Sequence, residues 1–354
     1  MPTPIRTEQY KQWDDRGSTL QNRFLWIKGK PGAGKSTLMK FLQGHMSRQI
    51  RRTAKDTTLI SFFFNARGNH MEKSTIGLYR SLLVQLLEAK PALEHVLDPF
   101  RPGHEWTVES LRSVLEEAAQ DLEDTPIICL IDALDECDQG QIRDMVSFFE
   151  TLAHNQSSLQ ICFASRHYPY INIRTGLSII LEEREGHRED ITTYLSSALT
   201  IGHSKRAEKI RSTLQEKARG VFMWVILVVE ILNKDYDAGD VLELEERIKQ
   251  LPEDLHALFN DILTRDTKNR QALLLCIQWV LYAKDPLTPT QLYLAILSGS
   301  DQKSLSKWDS HDHEEADARR YILDKSKGLA EVTKAKIPTV QFIHESVNDF
   351  LLKE

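Results

Sequence analysis

Short apolar blocks alternate with longer segments of helical period through the first half of the chain. Phe24–Ile27, Thr58–Phe64 (TLISFFF), Ile127–Ile131, Leu159–Ala164 (LQICFA) and Leu177–Leu181 (LSIIL) are short, largely apolar runs, Ile127–Ile131 without interruption. They read as strands buried on both faces. Between them, Thr37–Arg51 places Leu38, Phe41, Leu42 and Met46 at helical spacing. Lys73–Ala89 does the same with Leu78, Leu82, Leu83, Leu86 and Leu87 until Pro91, and Val108–Asp121 follows a Pro102-Gly103 break. Five strands with intervening helices predict a wound α/β domain with a parallel sheet. After Arg184 the strand-like blocks stop and helical patterns take over. Glu189–Leu199, Gly220–Leu232, Val241–Gln250, Leu255–Leu263, Leu273–Ala283 and Pro289–Leu297 predict an all-helical second half, the last with Thr288 as N-cap and Pro289 at its first position. Gly220–Leu232 is apolar around its whole circumference and therefore reads as a buried helix. Residues 1–20 are polar with Trp13 as the one strong anchor, and read as a linker tail or a short lead-in helix.

Composition narrows the class. The 354 residues suffice for two or three domains. The net charge of −6, with both signs interspersed, offers no broad cationic face for nucleic acid. Cys129, Cys137, Cys162 and Cys276 lack metal-ligand spacing, and Cys129 and Cys162 lie inside strand-like runs. A reduced, cytoplasmic setting is expected. The N-terminus has no apolar signal region. The most apolar run, Gly220–Val229, is about half the length of a membrane span, so no span is expected.

The chemistry concentrates in Phe24–Met39, FLWIKGKPGAGKSTLM. Gly29, Gly34, Lys35 and Ser36 satisfy G-x-x-x-x-G-K-[ST] between a strand and a helix. Gly29, Pro31, Gly32, Ala33 and Gly34 form a loop whose backbone N–H groups cradle phosphate, helped by the positive end of the following helix. Lys35 reaches the β/γ-phosphates, Ser36 ligates Mg²⁺, and Thr37 belongs to the same turn. Ile127–Ile131 ends in Asp132, the position where phosphate-bound Mg²⁺ needs a carboxylate. Asp135 or Glu136, just beyond, is placed to orient or deprotonate the hydrolytic water. Leu159–Ala164 ends in Ser165-Arg166, which brings a cation to the γ-phosphate. Arg67, after the TLISFFF strand, is a candidate phosphate contact, weighed against the preferred reading of a surface or salt-bridged residue. His311-Asp312-His313-Glu314-Glu315 reads as a solvated loop. Asn233-Lys234-Asp235-Tyr236 has Tyr where a guanine-reading motif needs Asp, and follows a helix instead of a strand.

GKPGAGKST, IICLIDALDEC and FASR, at these separations, resemble the NACHT-type P-loop NTPases of the signal-transducing ATPase (STAND) class. The likeness is strongest to fungal NACHT proteins and their nephrocystin-like relatives. FFFNARG, GVFMWVILVV, LPEDLHALFNDIL and FIHESVNDFLL resemble further segments of the fungal members, so the resemblance spans roughly residues 20–354. It implies a lead-in at 1–20, a NACHT NTPase domain at 21–185, a helical lid at 186–266 and a winged-helix-like module at 267–354. It also implies that Lys35, Ser36, Thr37 and Asp132 hold phosphates and Mg²⁺, that Arg166 senses the γ-phosphate, and that His344 touches the β-phosphate of ADP in the resting state. Gly220-Val221-Phe222 lacks the proline that often lies against the base in this family, which leaves Phe222 as the candidate.

The expected function is an ATP/ADP switch with slow hydrolysis, with GTP left open by the sequence. Exchange of ADP for ATP would permit homo-oligomerisation and signalling to effector or sensor proteins in self/non-self recognition or programmed cell death. A small-molecule or nucleotide kinase, a turnover ATPase, and a nucleotide-binding scaffold without hydrolysis are the alternatives.

Overall fold

The computed structural model of the chain describes residues 7–15, 20–53, 56–66, 68–101, 103–122, 125–156, 158–167, 176–237, 244–264, 270–300, 315–333 and 335–353. Among these, β1 (Phe24–Lys28), β2 (Thr58–Phe63), β3 (Ile127–Asp132), β4 (Leu159–Ser165) and β5 (Leu177–Ile180) form one parallel sheet in the order β2-β3-β4-β1-β5. The register pairs Phe24 with Ile161, Leu25 with Leu177, Thr58 with Ile127 and Ile127 with Leu159. The expected five-stranded wound domain is therefore present.

Alternation along the strands supplies two separate cores. Phe24 and Trp26 of β1, Cys129 and Ile131 of β3, and Ile161 and Phe163 of β4 face one side. There they meet α3 (Thr75–Ala89), α4 (Val108–Gln120) and α5 (Gln139–Asn155). Leu25, Ile27, Ile128, Leu130, Cys162 and Ala164 face the other side, under α1 (Glu8–Asp14) and α2 (Lys35–Thr53). Covering both faces is what a fully apolar parallel strand requires.

The lead-in segment is an integral part of this layer. Thr7 caps α1 by accepting the Tyr10 N–H at 3.2 Å. Trp13 is fully buried, and its indole N–H donates to the carbonyls of Arg23 (3.2 Å) and Ile161 (3.1 Å). The helix expected over Lys73–Ala89 starts at Thr75 instead, because the Ser74 hydroxyl accepts the Gly77 N–H and ends the preceding turn. The expectation at Arg67 and that at His311-Asp312-His313-Glu314 lie outside the described residues, while Glu315 opens a helix.

The described residues divide into two compact units, 1–198 with 219–223, and 199–218 with 224–354. The first holds the sheet together with α6 (Glu185–Ala198). The second is mainly helical: α7 (Lys205–Ala218), most of α8 (Phe222–Asp237), α9 (Leu244–Gln250), α10 (Leu255–Thr264), α11 (Arg270–Tyr282), α12 (Pro289–Ser300) and α13 (Glu315–Lys325). It ends in an antiparallel pair, β6 (Ala330–Val332) and β7 (Val340–Phe342), and α14 (Glu345–Lys353). The expected buried helix is α8: Trp224, Val225, Leu227, Val228, Val229 and Leu232 are buried, whereas Ile226 reaches 37 % exposure. Ala272, Cys276, Leu292, Ile296, Ile322, Ala330 and Val340 form a separate small core joining α11, α12, α13 and the hairpin. No helix among the described residues is long and apolar enough to cross a membrane. All four cysteines are free and buried.

Candidate nucleotide site

The parallel sheet brings the C-terminal ends of β1, β3, β4 and β5 to one edge, where ligands of open α/β sheets bind. β1 runs directly into the loop Gly29–Gly34, and α2 starts at Lys35. Gly32 (φ 74°) and Gly34 (φ 95°) occupy left-handed backbone that other residues adopt only with strain. A Cβ on Gly34 would meet nothing within 4 Å, so it is the left-handed backbone and not crowding that favours glycine there. Ala33 is fully buried, and its N–H bonds the Lys30 carbonyl at 3.1 Å, which closes the loop. The Lys35 ammonium donates to the carbonyls of Gly29 (2.8 Å) and Lys30 (3.0 Å). Burial lowers its pKa, while the charges of Asp135, Asp132 and Glu182 act to keep it protonated.

Asp132 closes β3, and its side chain is buried. Burial pushes its carboxyl up to about 6, against hydrogen bonds from the Ser36 hydroxyl and the Ala133 N–H. Its Oδ1 is buried with no protein partner among the described residues. A half-satisfied carboxylate bonded to the Ser36 hydroxyl is the donor set that Mg²⁺ takes, so the residues fit the expected ion. After Asp132, Ala133 adopts φ 56° and turns the chain into a short 3-10 helix, Leu134–Glu136.

That turn separates the two carboxylates which the sequence treats as equivalent. Asp135 faces β4: its Oδ1 accepts the Arg166 N–H at 2.8 Å, and its Oδ2 pairs with Arg166 Nε at 2.9 Å. Glu136 faces β2, where its Oε2 accepts the Ala66 N–H at 2.9 Å. Arg166 thus lies at the sheet edge as expected, held by a carboxylate. Ser165, fully buried, accepts the Trp26 indole N–H at 2.8 Å and bonds the Arg166 carbonyl at 2.9 Å, which ties the ends of β1 and β4 together.

Glu182, which the sequence did not single out, and residues 219–223, of which it offered Phe222 as the base contact, also lie at this edge. Glu182, just beyond β5, touches the phosphate loop; applying the strand-tip rule to the fifth strand would have found it. Residues 219–223 pack on the same loop, with the Met223 N–H on the Gly32 carbonyl at 2.9 Å. Phe222 lies 5.2 Å from the Tyr194 ring and 6.4 Å from the His187 ring, centroid to centroid. His187 is buried, with Nε2 2.9 Å from the Gly220 carbonyl oxygen.

His344 belongs to the second unit, at the start of α14. Its Nδ1 accepts the Ser346 N–H at 3.0 Å and lies 2.6 Å from the Ser346 hydroxyl. The neutral ring therefore carries its proton on Nε2.

Comparison with known proteins bears on the fold. Residues 4–166 match the family described as Nephrocystin 3, N-terminal. The vegetative incompatibility protein HET-E-1 of Podospora anserina is 26% identical over 97% of this chain. The chain spans about a quarter of that relative's length, 25%. A STAND protein with a tetratricopeptide repeat sensor from Pyrococcus horikoshii shares the fold, with a TM-score of 0.52 and 14% identity over 98% of this chain and 42% of that one. Drosophila ORC bound to DNA gives a TM-score of 0.46 and 12% identity over 100% of this chain and 87% of that one. At that level the likeness does not carry the DNA over.

Proposed function

Because this chain is a NACHT-like P-loop NTPase, we propose that it works as an ATP/ADP-dependent switch with slow hydrolysis, not as a fast turnover enzyme. The observation that carries this reading is the state of the catalytic groups: Asp135 holds Arg166, and the Ala66 N–H engages Glu136. A site built for rapid turnover presents these groups to the reacting phosphate. Here each is engaged by a protein group, and a conformational step that releases them would gate hydrolysis.

Nucleotide phosphates would lie on the N–H groups of Gly32–Thr37, with Lys35 moving from the loop carbonyls to the anion. Ser36 and Asp132 would hold Mg²⁺, whose charge offsets that building up on the transferred phosphoryl group. Glu136 is the residue to orient the hydrolytic water, since both Asp135 oxygens are occupied by Arg166. Phe222 and the neighbouring Tyr194 are the candidates to meet the base, which is adenine in this reading.

Residues 186–266 would serve as a helical lid and 267–354 as a winged-helix-like module. The helices α11, α12 and α13 followed by the β6–β7 hairpin support the second assignment. In the ADP state, His344 Nε2–H would donate to the β-phosphate. Exchange for ATP would free the module, allow homo-oligomerisation and signal to effector or sensor proteins in the cytoplasm. The kinship to a vegetative incompatibility protein supports a role in self/non-self recognition or programmed cell death.

The test is to identify the nucleotide that copurifies, then follow hydrolysis and oligomeric state. Wild type should retain ADP, turn over more slowly than once per second and form oligomers with ATP when Glu136 is changed to Gln. Several turnovers per second, or a phosphorylated acceptor product, would overturn the switch.

A further inference from the structure

The side chain of Glu182 is 7 % exposed and touches three parts of the site at once. Its Oε1 lies 2.6 Å from His167 Nε2, the residue after Arg166 at the tip of β4. Its Oε2 accepts the backbone N–H of Lys30, in the phosphate loop, at 3.3 Å. A Cβ on Gly29 would sit 3.0 Å from that same oxygen, so the loop runs against the carboxylate without a side chain between. The stem of Glu182 meets the 219–223 segment. Gly220 adopts φ 77°, and a Cβ there would fall 2.5 Å from Glu182 Cβ. The Lys30 ammonium donates to the Arg219 carbonyl at 3.4 Å, closing the same circuit.

A buried carboxylate is costly unless its oxygens are paired, and these are paired to site elements. Burial alone would push the Glu182 carboxyl up. The hydrogen bonds from His167 and from backbone N–H groups outweigh it and hold the group below the usual Glu value. The negative charge also lies within the field at Lys35. The site therefore keeps a fourth carboxylate beside Asp132, Asp135 and Glu136. That is unfavourable for an anion site unless the carboxylate does something for it.

We propose that Glu182 is a positioning residue of the nucleotide site: its two oxygens tie the Gly29–Lys30 backbone of the phosphate loop to the strand tip that carries Arg166. This rests on the nucleotide-switch reading and adds to it. Loop and sensor tip share one anchor, so an ordered loop is the partner of an ordered Arg166. Preorganisation of this kind lowers the cost of binding without touching the ligand.

The experiment uses the full chain with ADP and ATP as probes, titrated calorimetrically, alongside the unfolding midpoint of nucleotide-free protein. Glu182→Gln keeps the volume but cannot accept at both ends. It should weaken ADP about tenfold while leaving that midpoint within a few degrees of wild type. His167→Ala should weaken ADP about threefold in wild type and have no added effect in Glu182→Gln, because both act through one carboxylate. Unchanged or tighter ADP binding by Glu182→Gln overturns the proposal, as does additivity of the two substitutions or a fallen midpoint with unchanged affinity. If wild type binds ADP and Lys35→Ala does not while Glu182→Gln behaves as wild type, only the role of Glu182 falls. If wild type binds neither nucleotide, the switch reading falls with it.

Discussion

Arg166 and Asp135 meet through two bonds, Nε to Oδ2 at 2.9 Å and backbone N–H to Oδ1 at 2.8 Å, with the Asp135 side chain only 7 % exposed. The pairing fixes Arg166 and engages both Asp135 oxygens, so the two acidic neighbours are expected to behave differently on substitution. Asp135→Asn should leave ADP affinity within about twofold and raise the hydrolysis rate or the ATP affinity by freeing Arg166. Glu136→Gln should retain ATP and slow hydrolysis about a hundredfold, the scale of a lost general base. Single-turnover rates for the two variants decide the matter; the reverse pattern would make Asp135 the residue that handles water.

Asp132 carries a stability cost that the ligand site requires. A carboxyl that titrates at about 6 in place of its ordinary 3.8 is protonated more readily in the folded than in the unfolded chain. Its contribution is therefore present in full below pH 4 and is lost as pH rises through 6. Above that, the ionised group costs the nucleotide-free protein about 3 kcal/mol. Asp132→Asn should raise the denaturant midpoint of nucleotide-free protein at pH 7.5, lose that advantage near pH 4, and abolish the Mg²⁺-dependent part of ATP binding.

Lys35→Ala removes the only ammonium that bonds the Gly29 and Lys30 carbonyls among the described residues. A charged hydrogen bond to phosphate is worth about 1.5–3 kcal/mol, so nucleotide affinity should drop at least tenfold. Isothermal titration with ADP measures this directly.

Trp13→Ala should destabilise the chain by about 3–5 kcal/mol, the range for truncating a fully buried indole. The loss combines packing under the sheet with two hydrogen bonds, to Arg23 and Ile161. Chemical unfolding reads it out. A loss below about 1 kcal/mol would return the N-terminal helix to the status of a loose lead-in.

His344→Ala should speed ADP release about tenfold while leaving ATP affinity unchanged, because the Nε2–H it removes is the donor assigned to the resting state. A tenfold change is about 1.4 kcal/mol, against about 5.5 kcal/mol needed to move a switch from mostly closed to mostly open. The variant should therefore leak without becoming constitutively oligomeric. Stopped-flow release of labelled ADP checks the first part and size-exclusion chromatography the second.

The amino-acid order by itself determined what is local. Apolar blocks such as Ile127–Ile131 could only be strands covered on both faces. The loop Gly29–Gly34 needed glycine at the two left-handed positions it occupies, and Asp132 stood out because a carboxylate follows an apolar strand without a break. Tertiary structure decided the pairings between distant segments: Asp135 with Arg166, Trp13 with Ile161, Gly32 with Met223, and Glu182 with both Lys30 and His167. The reason is the strand order β2-β3-β4-β1-β5, which sets chain ends far apart in sequence side by side at one edge of the sheet. No periodicity within a strand records which strand lies next to it. The candidacy of Lys35, Ser36 and Asp132 was therefore legible residue by residue, whereas the restraint placed on Arg166 and on the loop existed only once β5 and β4 lay on either side of β1.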